Sequence, residues 1–364
     1  MARINAFLKL AREQGCSDLH LAVGLPPLLR INGDILPIRF RDLSARELET
    51  YVMDILSPAQ KQRFSEGDDL DFAYVADEVG RFRTNVFRKS TGIGVTFRQI
   101  PTQLPDLDSL GLPPVIKTLI DHHQGMVLVT GSTGTGKSTT LAAIIDYINT
   151  HRAVNIISLE DPVEFVHRSK RSQVIQREVG THVPSYAHGL RHALREDPDV
   201  ILVGELRDAE SILMAMVAAE TGHLVLGTLH TTSAAKTIDR ILASLPLEQR
   251  GQAKTFLSQS LHGVITQVLV KSADGRSRRP VVEVLVVTRA IAKMITSDKV
   301  FQIPSQMQTS RTLGMQSMDQ ALQEAIERNE IDPDDAYQCA VDKKKLQRFV
   351  TDSSLLPKID LAGG

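Results

Sequence analysis

The chain has no tryptophan, five tyrosines and two cysteines, and its charges almost cancel. Each shortage removes a class of function. Cys16 and Cys339 lie far apart, so they offer neither a disulfide framework nor a four-thiolate zinc site and read as reduced structural residues. Lys and Arg number 42 against 43 Asp and Glu, leaving a net charge of -1 and no global basic field for nucleic acid or anionic membrane. Few aromatic rings also leave little surface for base stacking. No apolar run reaches membrane-spanning length, and the opening MARINAFLKLAREQG is too charged for a signal peptide and reads as an amphipathic helix. A cytoplasmic protein with no nucleic-acid partner is the expectation, and 364 residues suffice for two or three domains.

What is present centres on Met126 to Asp146, MVLVTGSTGTGKSTTLAAIID. Gly131, Gly136, Lys137 and Ser138 fit G-x-x-x-x-G-K-[ST], in which backbone N–H groups surround phosphate oxygens, a lysine reaches the β- and γ-phosphates and a hydroxyl ligates Mg²⁺. The loop residues Gly131, Ser132, Thr133, Gly134, Thr135, Gly136, Lys137, Ser138 and Thr139 are the candidate nucleotide cradle. Glycines let its backbone approach an anion, and a helix from Thr139 to Ile148 adds its dipole. The bare pattern arises by chance roughly once in a hundred chains of this length. A buried-strand run before it and the helical spacing of Leu141, Ile144, Ile145 and Ile148 after it make chance less frequent still.

Upstream, residues 1–100 have the pattern of a small α+β domain: a helix at 4–14, strands at 18–23 and 28–31, and an Asn32-Gly33 hairpin signal. A helix follows at 44–56, with Ser44 and Glu47 as a capping box, then strands at 71–76, 81–88 and 93–100 closing an antiparallel sheet. Arg81, Arg83, Arg88 and Arg98 fall on the last strands, either as a solvated face or as a source of positive charge for phosphate held by another domain or subunit. Prolines at 101, 105, 113 and 114 mark residues 101–117 as a linker. An ATPase core is expected over 118–289 and a C-terminal helical region and tail over 290–364.

Beyond the linker, apolar runs at 126–130, 154–160, 200–205 and 224–230 alternate with helical segments, which argues an α/β fold with a mostly parallel sheet. Polar residues gather at the carboxyl ends of these runs, where open α/β sheets bind ligands. They are Glu160, Asp161 and Glu164; Glu205, placed to orient water or serve Mg²⁺; and His230. Taken alone, His230 and His223 would more often be structural histidines.

These motifs resemble the secretion ATPase superfamily, most closely its PilT/PilU branch, the retraction ATPases of type IV pili. The likeness rests on SDLHLAVGLPPLLRINGDI, GRFRTNVF, the Walker A segment GSTGTGKSTT, the Asp box IISLEDPVEF, the Walker B region LREDPDVILVGELRD, the His box ETGHLVLGTLHTTSA and GMQSMDQAL. It implies a PAS-like N-terminal domain joined to a RecA-like P-loop ATPase domain, assembled as a homohexamer with ATP and Mg²⁺ at subunit boundaries. By resemblance, Lys137 and Ser138 bind phosphate and Mg²⁺, and Glu205 is the catalytic glutamate. Glu164, with Glu160 and Asp161, forms the Asp box; Glu164 and Glu205 reach the metal through water. His223 and His230 sense the γ-phosphate, and Arg83 and Arg98 contact nucleotide in the ring. The implied partners are an inner-membrane pilus platform protein, at whose cytoplasmic face the ring docks, and a paralogous retraction or extension ATPase.

Three departures from the branch stand out: AIAKMITS at 290–297 in place of an AIRNLIRE-like helix, Ser132 in place of proline, and Leu206 in place of methionine. A main retraction motor and an accessory PilU-like one therefore both stay open. Extension and type II secretion ATPases usually carry a four-cysteine metal insertion that two cysteines cannot form. A DNA-translocating ring is disfavoured by charge and aromatic content, and a non-hydrolysing switch by the presence of Glu205.

Overall fold

The computed structural model describes residues 2–31, 34–76, 78–100 and 103–356. They form two compact units, Met1–Gln103 with Asp161–Val166, and Leu104–Glu160 with His167–Gly364.

The first unit runs α1 (Asn5–Glu13), β1 (Asp18–Ala22), β2 (Leu28–Ile31), β3 (Asp34–Pro37), α2 (Ala45–Met53), α3 (Pro58–Glu66), β4 (Leu70–Ala76), β5 (Gly80–Lys89) and β6 (Gly92–Ile100). Its strands form one antiparallel sheet in the order β3-β2-β1-β6-β5-β4. Ile31 pairs with Asp34 across the anticipated hairpin, whose turn residues Asn32 and Gly33 lie outside the described residues. Period-two alternation sets the faces: Phe82, Thr84 and Val86 of β5 are buried, and Arg81 and Arg83 occupy the opposite face. Leu8 of α1, Leu48 and Val52 of α2 and Phe64 of α3 complete the core.

Two local features differ from the sequence expectation. The Ser44 hydroxyl accepts from the Glu47 N–H at 3.4 Å, but Arg41 takes the Glu47 carboxylate at 2.7 Å, so the reciprocal half of the box yields to an ion pair. Helix α3, which hydrophobic spacing does not announce, buries only Phe64; a capping box between Ser57 and Gln60 and a proline in its first turn define its start.

The second unit contains α4 (Val115–Ile120), β7 (Gly125–Thr130), α5 (Lys137–His151), β8 (Asn155–Glu160), β9 (Gln173–Glu178), α6 (Tyr186–Ala193), β10 (Val200–Val203), α7 (Ala209–Glu220), β11 (Leu224–Leu229), α8 (Ala234–Ser244), α9 (Leu247–Ser260), β12 (Leu261–Lys271), β13 (Arg278–Val286), α10 (Arg289–Thr296), α11 (Ile303–Thr309) and α12 (Met318–Glu327). The sheet order is β13-β12-β7-β11-β10-β8-β9, parallel from β12 to β9, with β13 antiparallel to β12. The four apolar runs read from sequence are β7, β8, β10 and β11; β9, β12 and β13 extend the sheet on both sides.

β7 shows why it is central. All six of its residues are buried, Met126 and Leu128 packing into the core with α7, α8 and α9, and Val127 and Val129 into the core with α4 and α5. A strand covered on both faces reads as a continuous apolar run, which is its sequence signature. No helix among the described residues is long and apolar enough to cross a membrane.

Candidate active site

The chain turns sharply as β7 ends. Thr130 is buried, its hydroxyl 2.9 Å from that of Thr266 on β12, and Gly131 leaves the strand at φ 140°. A Cβ on Gly131 would stand 2.4 Å from the Gln267 carbonyl oxygen, so close packing and the positive φ both demand glycine. The Thr135 hydroxyl donates to the Ser132 carbonyl at 2.8 Å and tightens the loop. Gly136, at φ 86°, then starts α5.

Helix α5 is 15 residues long, and the N–H groups of its first turn have no intrahelical acceptors. They and the helix dipole make the loop an anion site. Lys137 folds back over it, its ammonium donating to the Gly131 carbonyl at 2.7 Å and the Ser132 carbonyl at 3.0 Å. Ser138 is exposed at the same helix start.

Because the strands are parallel, their carboxyl ends lie along one edge of the sheet. Glu160 ends β8, its Oε1 accepting from the Ser158 hydroxyl at 2.7 Å and the Gln176 amide at 3.0 Å. Glu205 follows β10 in a backbone bracket: Gly204 N–H donates to the Leu159 carbonyl at 2.8 Å and Leu206 N–H to the Thr228 carbonyl at 3.0 Å. The Thr228 hydroxyl also donates to the Gly204 carbonyl. The Glu205 carboxylate is mostly covered, at 17% side-chain exposure, with Arg207 at 2.7 Å from one oxygen and His230 Nε2 at 3.0 Å from the other. Burial opposes its charge, but Arg207 and His230 outweigh burial and hold the carboxyl below the usual range. The result is a carboxylate held in its charged form between an arginine and a histidine.

The remaining sequence candidates are not all brought here. His223 stands at the opening of β11, its ring nitrogen bonded to the Ala218 carbonyl at 2.8 Å and its carbonyl accepting from Gly125 N–H at 3.0 Å. That is the opposite end of β7 from the loop, about 16 Å away along a six-residue strand. Direct contact between His223 and a phosphate on this chain's loop is therefore unavailable. Asp161 and Glu164 belong to the first unit, where their charge, after the Asp71 hydrogen bond, helps keep Arg83 protonated. Arg81 donates to the Val163 carbonyl at 3.2 Å in the same unit.

Arg83 pairs with Asp71 at 2.6 Å and Arg98 with Asp18 at 2.8 Å. Arg83 and Arg98 are also directly opposite across β5 and β6, on one face. Sequence reading passed over Arg207, although it lies two residues beyond Glu205. It also passed over Gln267, a polar residue inside the apolar stretch VITQVLV, where a polar interruption is itself a signal.

Mg²⁺ fits this donor set. One hydroxyl, Ser138, and carboxylates at strand ends, Glu160 and Glu205, suit a hard cation that keeps several waters and takes phosphate oxygens. No group of three or more His, Cys, Asp or Glu side chains that could hold a metal ion occurs among the described residues.

The chain matches the model of the type II/IV secretion system protein family over residues 3–343. It is 45% identical to the type IV pilus retraction ATPase PilT of Pseudomonas aeruginosa, over 93% of this chain and 98% of that one. The type IV pilus ATPase PilU of the same organism is 39% identical over 90% of this chain and 86% of its own length. Among solved structures, the pilus retraction motor PilT with bound ADP superimposes with a TM-score of 0.88 at 41% identity, covering 96% of this chain and all of that one. A family match over almost the whole length, on a fold whose sheet edge carries the phosphate loop, Glu205 and His230, makes this chain a member of the type II/IV secretion system protein family.

Proposed function

We propose that the chain is a hexameric ATPase motor that powers type IV pilus retraction, converting ATP hydrolysis into rotation between its two domains. The observation that carries this reading is near full-length similarity to PilT, at 45% identity, combined with an intact Lys137, Glu205 and His230 arrangement. The crystal structure of PilT with ADP supports nucleotide as the ligand of the loop.

The chemistry assigned to this chain's residues is in-line attack of water on the γ-phosphate. Loop N–H groups and Lys137 hold the β- and γ-phosphates and take up charge as the bridging bond lengthens. Glu205 accepts the proton of the attacking water, with His230 and Arg207 fixing its carboxylate. Ser138, with Glu160 and Glu205 by way of bound waters, would hold Mg²⁺, which when bound would neutralise phosphate charge. Arg83 and Arg98 supply further positive charge to nucleotide in the assembled ring. The ring acts on an inner-membrane platform protein from the cytoplasmic side. PilU similarity, at 39%, makes an accessory retraction motor the second reading.

Deleting the gene in its host tests the proposal. Surplus surface pili with loss of twitching is the expected result, and absence of pili would refute retraction. A normal pilus count with weakened retraction under load would assign the accessory role instead.

A further inference from the structure

β12 runs parallel to β7, with Val264 beside Leu128, Ile265 beside Val129 and Thr266 beside Thr130. The next residue, Gln267, falls beside the phosphate loop. It is 2% exposed, and a buried amide must find partners for both its ends. Its Oε1 accepts from the Thr140 hydroxyl at 2.7 Å, in the first turns of α5, and its Nε2 donates to the Thr135 carbonyl at 2.7 Å, in the loop. The Gln267 carbonyl confines Gly131, and Nε2 stands 2.9 Å from where a Cβ on Gly136 would be. One residue thus touches the loop at its entry, its exit and the helix that follows.

We propose that Gln267 is a positioning residue for nucleotide, holding the phosphate loop in its anion-accepting form before ligand arrives. In a trans peptide the C=O and the following N–H point in opposite directions. With the Thr135 carbonyl drawn to β12, the Gly136 N–H faces away from β12. If this peptide turned over, a carbonyl oxygen would replace an N–H on the side where phosphate binds, and the Nε2 bond would be lost. Gln267 thus biases the loop toward donors, and its contribution is read chiefly in nucleotide affinity. The inference rests on the nucleotide-binding reading of the loop.

The test compares Gln267→Met, Gln267→Glu and Thr140→Val in the full chain. Calorimetry measures ADP affinity, thermal melting the apo protein, and steady-state kinetics KM and kcat for ATP. Gln267→Met is expected to weaken ADP binding about tenfold and raise KM similarly, with kcat within about twofold. Gln267→Glu sets a carboxylate oxygen against the Thr135 carbonyl and should bind more weakly still. Thr140→Val removes only the bond to Oε1 and should lose no more than about threefold. Wild-type ADP affinity in Gln267→Met, or equal losses in all three variants, overturns the proposal. If Gln267→Met does not fold, Gln267→Glu against Thr140→Val decides, and equal affinities overturn it. Failure of the wild-type chain to bind ADP would instead overturn the nucleotide reading itself.

Discussion

His230 Nε2 lies 3.0 Å from Glu205 Oε1, a bond that joins the residue after β11 to the second residue beyond β10. If Glu205 is the base, Glu205→Gln keeps the shape of the site but cannot accept a proton. Turnover should fall by about 10²- to 10⁴-fold while ADP affinity changes by no more than a few-fold. Single-turnover hydrolysis and calorimetry on the same preparation check this, and unchanged turnover would remove Glu205 from the mechanism.

Arg207 holds the other carboxylate oxygen at 2.7 Å and helps keep the Glu205 carboxyl below its usual range. Replacing it with alanine takes away that stabilisation of the charged form, so the carboxyl pKa rises. The acid limb of the kcat profile should then move to higher pH in Arg207→Ala. Identical limbs in the two proteins would show that another group titrates there.

Gly131→Ala combines a backbone angle of φ 140° with a 2.4 Å approach of Cβ to the Gln267 carbonyl oxygen. The variant should lose ADP binding and melt lower, the strain costing about 1–3 kcal/mol. Calorimetry and thermal denaturation measure both, and normal affinity would contradict the geometry of the loop.

His167 makes a stability prediction. Burial keeps its imidazole neutral and lowers its pKa from 6.5 to about 4, with only partial opposition from Asp146. The unfolded chain therefore binds a proton that the folded chain refuses between these values. Stability should fall as pH drops through 6.5 toward 4, by roughly 2 kcal/mol after allowing for partial solvent access, and level off below. Denaturant titrations across this range should show a shallower slope in His167→Leu.

Arg83 and Asp71 form a pair in which both side chains are 37% exposed, so stability owes it no more than about 1 kcal/mol. Arg83→Ala should melt almost as the wild type does. If Arg83 meets nucleotide in the ring, turnover of assembled protein should still drop about tenfold or more. Full turnover in that variant would return the arginine to the solvated face that its sequence equally permits.

How much was legible in the sequence depended on how local each feature is. The phosphate loop is fixed by spacing within nine residues, and β7, β8, β10 and β11 announce themselves because strands buried on both faces are unbroken apolar runs. β9, QVIQRE, breaks strict alternation, its two glutamines standing three residues apart, and it lies at the sheet edge, so its pattern is weak. β12 follows a helix directly and its run is interrupted by Gln267, which has a meaning only once β7 and α5 are packed against it. His223 shows the opposite difficulty. The family pattern sets it beside His230 in a single motif, but a six-residue strand carries the two to opposite ends of the sheet.

The bracket around Glu205 has one more consequence. Gly204 and Leu206 are both tied to Thr228, so the glutamate and His230 are mounted on the same pair of strands and share one frame. If Glu205 is the base, so little slack leaves it no swing in and out by which to set the tempo of a cycle. The clock of such a motor must lie in what arrives at that frame and what leaves it.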